Sequence, residues 1–217
     1  MTFCLKTLII KPEKNLSINN AIILLHGYGG GGEDISMLTL NWKRFLPNTV
    51  FLCPDGPETC AINPVGFQWF DLSVNHPDYI LEKSKIAEIK LNQFIEEVKT
   101  KFRLKSSDIC LSGFSQGCMM SINLGLISEE NFNSIVGFSG KIINQTDLKK
   151  RKTSSTKFFL THGDADSIVS PTYLLEAKDF FVRNNIDAET HLIKDCGHNI
   201  SLEASSLALK FFKKNLI

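Results

Sequence analysis

The sequence has no long hydrophobic run, no CxxC pair and no excess of charge of either sign. No apolar stretch approaches the roughly 20 residues that a membrane-spanning helix needs, and the amino terminus lacks the basic and apolar segments of a signal peptide. The 24 Lys and Arg against 23 Asp and Glu give a formal net charge of +1, which favours neither nucleic acid nor an anionic membrane as a partner. We therefore expect a cytoplasmic protein with no stable membrane anchor, no nucleic-acid partner and a small or neutral ligand.

The six cysteines are dispersed along the chain, at positions 4, 53, 60, 110, 118 and 196. Most stand in apolar runs, where a free cysteine behaves as a small buried hydrophobe. Their spacing is untypical of a disulfide framework or of a zinc site. The cysteines therefore indicate a reducing compartment, and the sequence predicts neither a bound metal nor a cofactor.

Short β-rich runs alternate with helical patterns along all 217 residues. The predicted strands are AIILLHG, TVFLCP, DICLSG, SIVGFSG, KFFLTHG and ETHLIKD, several of them apolar throughout, as in strands covered on both faces. Helices are predicted over about 80–101, from Ser170 and Pro171 to near Asn184, and from about Ser201 to the end. This alternation predicts an α/β fold, a single domain over 1–217 in which helices cover both faces of a mostly parallel sheet.

One segment, residues 54–79, has no clear period. It holds four prolines, two glycines and the adjacent aromatics Trp69 and Phe70. An aromatic loop of this length is typically ordered and close to a functional site. The alternative is a surface excursion that only covers the sheet.

The stretch SGFSQG places Ser115 between Gly113 and Gly117. A predicted strand precedes it and a predicted helix follows it, which is the setting of a nucleophile elbow. Two glycines permit so sharp a turn because they have no Cβ. The alternative is a tight strand-to-helix turn in which the serine is only a cap.

A serine nucleophile needs a base within hydrogen-bond reach and a third group that orients the base. His198 follows the last predicted strand, downstream of all other candidates, and suits the base. The acid would follow the preceding strand, where both Asp164 and Asp166 stand. Spacing alone does not decide between these two aspartates.

The remaining histidines have other interpretations. His26 and His162 stand at strand ends near the same edge of the sheet, but in the wrong order to be the base. His191 lies within a strand and is predicted to be structural, whereas His76 precedes a proline and is predicted to be solvated or to hold its loop in place. The triplet of His162, Asp164 and Asp166 also has an alternation that could bind a metal, although no second cluster of ligands accompanies it.

Acyl transfer also needs hydrogen-bond donors for the developing oxyanion. The amide of Gln116, directly after the nucleophile, is one candidate. The glycine-rich stretch LLHGYGGGGED offers the amide of Tyr28 as the second. The alternative for this stretch is a phosphate cradle, but it lacks the ending of a P-loop.

With LLHGYGG, FLCPDGP, FQWFDL, LSGFSQG, THGDADSIVS and GHNIS in this order, the chain resembles the phospholipase and carboxylesterase family of small α/β-hydrolases, which includes acyl-protein thioesterases. The resemblance runs from about residue 20 to the end. It implies a serine hydrolase with the triad Ser115, Asp166 and His198, since the family pattern has its acid at the second aspartate. It likewise supports the amides of Tyr28 and Gln116 as the oxyanion hole.

The chain departs from the family at three positions: Cys118 and Ser170 replace a usual glycine and proline, and Tyr28 replaces an aliphatic residue. We expect Cys118 to matter for packing, and the ring of Tyr28 to narrow the acyl pocket.

The predicted substrate is a small-molecule or lipid-like ester or thioester with a short to medium acyl chain. Trp69 and Phe70 are predicted to border an apolar acyl groove that no lid domain covers. Lysophospholipids and lipidated proteins are alternative substrates on the same triad. A metal hydrolase and a non-catalytic binding protein are alternative functions, and a homodimer is compatible with the sequence.

Overall fold

The computed structural model describes residues 2–216, which form one seven-stranded sheet, a separate two-stranded hairpin and seven α-helices. The strands are β1 (Thr7–Ile10), β2 (Asn20–Leu25), β3 (Thr49–Pro54), β4 (Glu58–Cys60), β5 (Asn63–Gln68), β6 (Ile109–Phe114), β7 (Ser134–Phe138), β8 (Lys157–Gly163) and β9 (Ala188–Ile193). The α-helices are α1 (Gly32–Ser36), α2 (Thr39–Trp42), α3 (Pro77–Phe102), α4 (Gln116–Ile127), α5 (Gln145–Arg151), α6 (Thr172–Arg183) and α7 (Leu202–Leu216).

The main sheet has the strand order β1-β3-β2-β6-β7-β8-β9. Only β1 runs antiparallel to its neighbour, and all other pairings are parallel. The predicted α/β fold is therefore confirmed, and all six predicted strands are present. Strand β9, at the edge of the sheet, is only partly buried.

Side chains alternate between the two faces of the sheet, so the sheet separates two hydrophobic cores. In β2, Ala21, Ile23 and Leu25 face one core, while Ile22 and Leu24 face the other. The period of two residues in a strand produces this division. The first core lies under α3, α4 and α6, and the second under α1, α2 and α7. Burial of each large apolar side chain contributes roughly 1.5–3 kcal/mol.

The segment 54–79 contains regular structure that its composition did not reveal. Strands β4 and β5 form an antiparallel hairpin with an irregularity after Thr59. Helix α3 begins at Pro77, three residues before the predicted start, and the side chain of His76 caps it by accepting a hydrogen bond from the Asp78 amide at 3.3 Å. The segment is ordered, as expected.

Several elements were not predicted. Strand β1 and the short helices α1, α2 and α5 are each seven residues or fewer, which is too short for a hydrophobic period to stand out. Among residues 2–216, no helix combines the length and hydrophobicity that crossing a bilayer requires.

Candidate active site

The turn between β6 and α4 has the strained geometry of a nucleophile elbow. Ser115 adopts φ 53° and ψ −115°, a conformation that non-glycine residues seldom adopt. A Cβ on Gly113 would lie 2.3 Å from the backbone of Gly117, and a Cβ on Gly117 would lie 2.1 Å from the Leu25 oxygen. Both glycines are therefore required by close backbone approach, which explains why the serine stands between them.

Three side chains form a continuous chain of hydrogen bonds at the carboxyl edge of the sheet. His198 Nε2 lies 3.0 Å from Ser115 Oγ, and His198 Nδ1 lies 2.7 Å from Asp166 Oδ2. Because the carboxylate can only accept, the Nδ1 proton faces Asp166 and Nε2 is left to accept the serine proton. The structure thus brings Ser115, His198 and Asp166 together from three separate loops.

The surroundings of Asp166 favour the ionised form of its carboxyl group. Its side chain is fully buried, and its Oδ1 accepts hydrogen bonds from the amides of Ile168 and Val169, both at 2.9 Å. Burial by itself would raise the pKa of this carboxyl, but the hydrogen bonds from His198 and the two amides outweigh burial and lower the pKa. Asp164, the alternative that spacing left open, is exposed.

The side chains of the possible metal triplet do not converge. Asp164 points to solvent, Asp166 bonds His198, and His162 Nε2 donates to the Val169 carbonyl at 2.8 Å while lying 3.2 Å from Asp166 Oδ2. Across residues 2–216, no group of three or more His, Cys, Asp or Glu side chains is arranged to hold a metal. His162 instead packs behind the triad acid.

The glycine-rich turn after β2 uses most of its amides within the protein. Gly29 N donates to Phe67 O at 2.9 Å and Gly30 N to Gly27 O at 3.1 Å. The amides of Gly31 and Gly32 donate to carboxylates, those of Asp34 and Asp55, at 2.8 Å each. A phosphate cradle needs free amides and no adjacent carboxylates, so this arrangement argues against that alternative.

Among residues 2–216, neither the amide of Tyr28 nor that of Gln116 has a hydrogen-bond acceptor in the turns, loops and helix ends. Gln116 is the first residue of α4, and the first amides of a helix have no intrahelical acceptor. Gln116 follows Ser115 directly in the chain, and a Cβ on Gly27, next to Tyr28, would lie 3.4 Å from the Cβ of Ser115. The two predicted oxyanion donors are therefore free to bind a ligand.

Trp69 and Phe70 lie in the core, which differs from their predicted position on the groove. They are 1% and 0% exposed, and neither lines the cavity beside the triad. The side chain of Gln116 binds the backbone of both residues. Its Oε1 accepts a hydrogen bond from Trp69 N at 2.9 Å, and its Nε2 donates one to Phe70 O at 2.6 Å. Their backbone therefore lies beside the elbow, whereas their side chains are buried in the core.

A cavity of about 420 Å³ opens beside His198 and Tyr28. Its apolar wall consists of Ile35, Met37, Leu38, Phe114 and Ile200, and its only carboxylate is that of the exposed Asp34. The sequence reasoning missed this wall. Phe114 and Ile200 could have been found, because they stand one and two residues from triad members, but α1 and α2 carried no such signal.

The two departures nearest the site have distinct environments. Cys118 is buried and its thiol packs within 2.4 Å of where a Cβ on Gly137 or Gly140 would be, so it fills space, and burial raises its pKa to about 12. Tyr28 borders the cavity. Burial, followed by its hydrogen bond with the Cys60 side chain, raises the pKa of Tyr28 to about 12, so its hydroxyl stays neutral.

Comparisons with known proteins agree with this geometry. The model of the phospholipase/carboxylesterase family matches residues 7–216. Acyl-protein thioesterase 1 of Yarrowia lipolytica is 26% identical over 210 residues, which cover 90% of this chain and 91% of the relative. Esterase YpfH of Escherichia coli is 23% identical, with 92% and 82% covered. The crystal structure of esterase PE8 superposes with a TM-score of 0.93 at 30% identity, covering 98% of this chain and 99% of the other.

Proposed function

We propose, from the premise that this chain belongs to the phospholipase/carboxylesterase family, that it hydrolyses esters or thioesters of short to medium acyl chains through an acyl-Ser115 intermediate. Membership confirms the resemblance predicted from six ordered motifs and, with the esterases and thioesterases among the relatives, the class of carboxylic ester hydrolase. The observation that carries the proposal is the hydrogen-bonded chain from Ser115 Oγ through His198 to Asp166.

Acylation follows from the positions of the protons. Ser115 Oγ attacks the acyl carbon while His198 Nε2 accepts its proton, and Asp166 stabilises the imidazolium that forms. The negative charge that develops on the carbonyl oxygen is bound by the Tyr28 and Gln116 amides, each such donor being worth roughly 3–4 kcal/mol. The intermediate then collapses: the bond to the leaving oxygen or sulfur breaks, and His198 gives that atom its proton.

Deacylation uses the same groups on water. His198, neutral again, takes a proton from a water molecule whose oxygen attacks the acyl carbon, and the same two amides bind the second oxyanion. The Ser115 ester bond breaks, Ser115 Oγ recovers a proton from His198, and the carboxylic acid leaves. The same base thus activates two weak nucleophiles in turn, the Ser115 hydroxyl and then water.

The cavity supports a short or medium apolar acyl chain. Its volume of about 420 Å³ lies in the lower part of the range for small-molecule sites, and its wall of aliphatic and aromatic side chains contributes about 0.8 kcal/mol for each methylene that it buries. The carboxylate of Asp34 at the cavity disfavours a negatively charged substrate there. The names of several relatives favour a thioester as the alternative to an oxygen ester, and a lysophospholipid remains a further alternative.

The proposal extends to the compartment, the domain organisation and the oligomeric state of the protein. All six cysteines are free thiols, which supports a reducing cytoplasm. We propose that residues 1–217 act as a single domain without a cofactor, and that the chain can form a homodimer.

A fluorophosphonate probe tests the nucleophile directly. We expect labelling of the wild-type protein at Ser115 alone, mapped by peptide mass spectrometry, and loss of labelling and of p-nitrophenyl butyrate hydrolysis by about 10⁶-fold in Ser115→Ala. The matched control is Ser107→Ala, an exposed serine just before the amino end of β6, the end opposite to the triad, which should label and turn over as wild type does.

Other outcomes separate the alternatives. Activity that persists in Ser115→Ala and disappears with a chelator would replace the proposal with a metal hydrolase. A folded wild-type protein that does not label would favour a binding protein. Where labelling succeeds, a series of acyl chain lengths as oxygen esters and thioesters defines the substrate.

A further inference from the structure

His26 is a buried histidine at the end of β2 that the proposed mechanism does not use. It is 1% exposed, and both ring nitrogens have partners. Nδ1 lies 2.7 Å from the carbonyl oxygen of Gly27, and Nε2 lies 2.9 Å from the amide nitrogen of Gly56. His26 therefore joins the glycine-rich turn to the segment that follows β3.

The partners determine which nitrogen of His26 carries the proton. The Gly56 amide can only donate, so Nε2 must accept. The Gly27 carbonyl can only accept, so Nδ1 must donate. The ring is thus the neutral Nδ1–H tautomer, and burial, which lowers the pKa of His26, keeps it neutral.

The carbonyl that His26 contacts belongs to the same peptide group as the amide of Tyr28. A trans peptide is planar, and its C=O and N–H point in opposite directions. A donor that holds the Gly27 oxygen therefore also sets the direction of the Tyr28 N–H. Hydrogen bonds in a chain polarise one another, so a bond to the oxygen also makes that N–H a stronger donor.

The position of His26 is itself fixed. Its backbone carbonyl accepts a hydrogen bond from Trp69 Nε1 at 2.8 Å, and its ring packs on the Trp69 ring with centroids 5.0 Å apart. The Gly27 oxygen has a second donor in Gly30 N at 3.1 Å. The turn is thus held from both sides, as electrostatic catalysis by preorganised donors requires.

We propose that His26 is a positioning residue of this hydrolase, whose Nδ1–H holds the Gly27 carbonyl so that the amide of Tyr28 points at the oxyanion. The inference rests on the proposed function, because it assumes that the Tyr28 amide binds the oxyanion. It assigns to the histidine before the glycine-rich turn a role in the chemical step without contact with the reacting atoms.

Two isosteric variants test the two nitrogens separately. In His26→Asn the side-chain amide can replace Nδ1 as a donor to Gly27, whereas in His26→Gln the amide oxygen can replace Nε2 as an acceptor for Gly56. We expect His26→Gln to lose roughly 100-fold in kcat, the effect of a lost oxyanion donor, with KM within about threefold. His26→Asn should lose less than about tenfold.

A second readout distinguishes the oxyanion from the general fold. The rate ratio for an oxygen ester over its thionoester, whose sulfur is a poor hydrogen-bond acceptor, should fall in His26→Gln and stay near the wild-type ratio in His26→Asn. Equal losses in both variants, or an unchanged ratio in His26→Gln, would assign His26 to packing and overturn the inference.

One measurement does not depend on whether the variants fold. Nitrogen-15 NMR of histidine-labelled wild-type protein should show His26 protonated on Nδ1, and a proton on Nε2 would overturn the inference. Fluorophosphonate labelling is run on the same samples. A wild-type protein that fails to label refutes the proposed function, whereas a labelled wild type with indistinguishable variants refutes only the role of His26.

Discussion

Two of the buried carboxylates, those of Asp166 and Glu88, have partners of different kinds. Asp166 faces a histidine that can change its protonation state, and the histidine opens onto a cavity. Glu88, on α3, is 5% exposed and receives both Nη atoms of Arg151, at 2.9 and 3.1 Å, and Asn123 Nδ2 at 3.0 Å. The first pairing lets a proton move, whereas the second holds two fixed charges together.

Glu88 and the side chains around it, here called the Glu88 group, connect three helices. The group consists of Glu88, Lys85, Asn123, Asp147 and Arg151. Arg151 also donates from Nε to Asp147 at 2.6 Å, and Lys85 lies 2.8 Å from the same aspartate, so the group links α3, α4 and α5. A bidentate guanidinium–carboxylate pair is geometrically specific, and its hydrogen bonds to Glu88 raise the pKa of Arg151. Burial of a charge therefore does not by itself mark an active site; a titratable partner and an open cavity do.

The largest expected effect in this comparison is on turnover, from Asp166→Asn. We expect kcat to fall on the order of 10⁴-fold, because an amide would no longer hold His198 in the tautomer that accepts the serine proton. Thermal unfolding should change little in comparison. The matched control is Asp164→Asn, an exposed neighbour, which should keep wild-type kcat; the reverse result would transfer the orienting role to Asp164.

The second effect is on stability, from Arg151→Met. This variant leaves Glu88 buried without its cation, and we expect a loss of about 3 kcal/mol in the free energy of unfolding, measured with urea, while kcat stays within about twofold. Lys150→Met, at an exposed position beside it, should leave stability unchanged. A large loss of kcat in folded Arg151→Met would show that the two groups are coupled and would break the comparison.

Six of the seven strands of the main sheet could be predicted from the sequence, because their signal is local. Strands such as β2 and β3 are buried throughout and apolar after their first residue, and a strand covered on both faces needs no more distant information. The elbow could be predicted for the same reason, since Gly113 and Gly117 stand on either side of Ser115.

The parts of the fold and of the site that could not be predicted depend on contacts between residues distant in the sequence. The β4–β5 hairpin has no clear period, and its strand β5 bonds the turn after β2 through Phe67 and Gly29. Trp69 was predicted to border the groove because it stands in an aromatic loop expected near the site, yet the side chain of Gln116 holds its backbone inside the fold. Spacing could not choose between Asp164 and Asp166, because the choice depends on where His198 lies in space.

The smallest expected effect is a change with pH in the contribution of Asp147 to the free energy of unfolding. In the Glu88 group, burial would raise the pKa of Asp147, but the hydrogen bonds from Lys85 and Arg151 outweigh burial and lower it. A carboxyl whose pKa is lower in the folded state stabilises the fold above its unfolded value, near 3.9. That contribution is lost as pH falls through the folded pKa.

We therefore compare wild type with Asp147→Asn by urea unfolding from pH 7 to pH 3. At pH 7 the variant should be less stable by roughly 0.5–1 kcal/mol, as for a partly exposed ion pair, and the gap should narrow as pH falls below about 4. Turnover at pH 7 should be equal in the two proteins. A gap that is constant with pH would mean that Asp147 acts through packing rather than charge, and would leave the Glu88–Arg151 pair as the only electrostatic tie in this group.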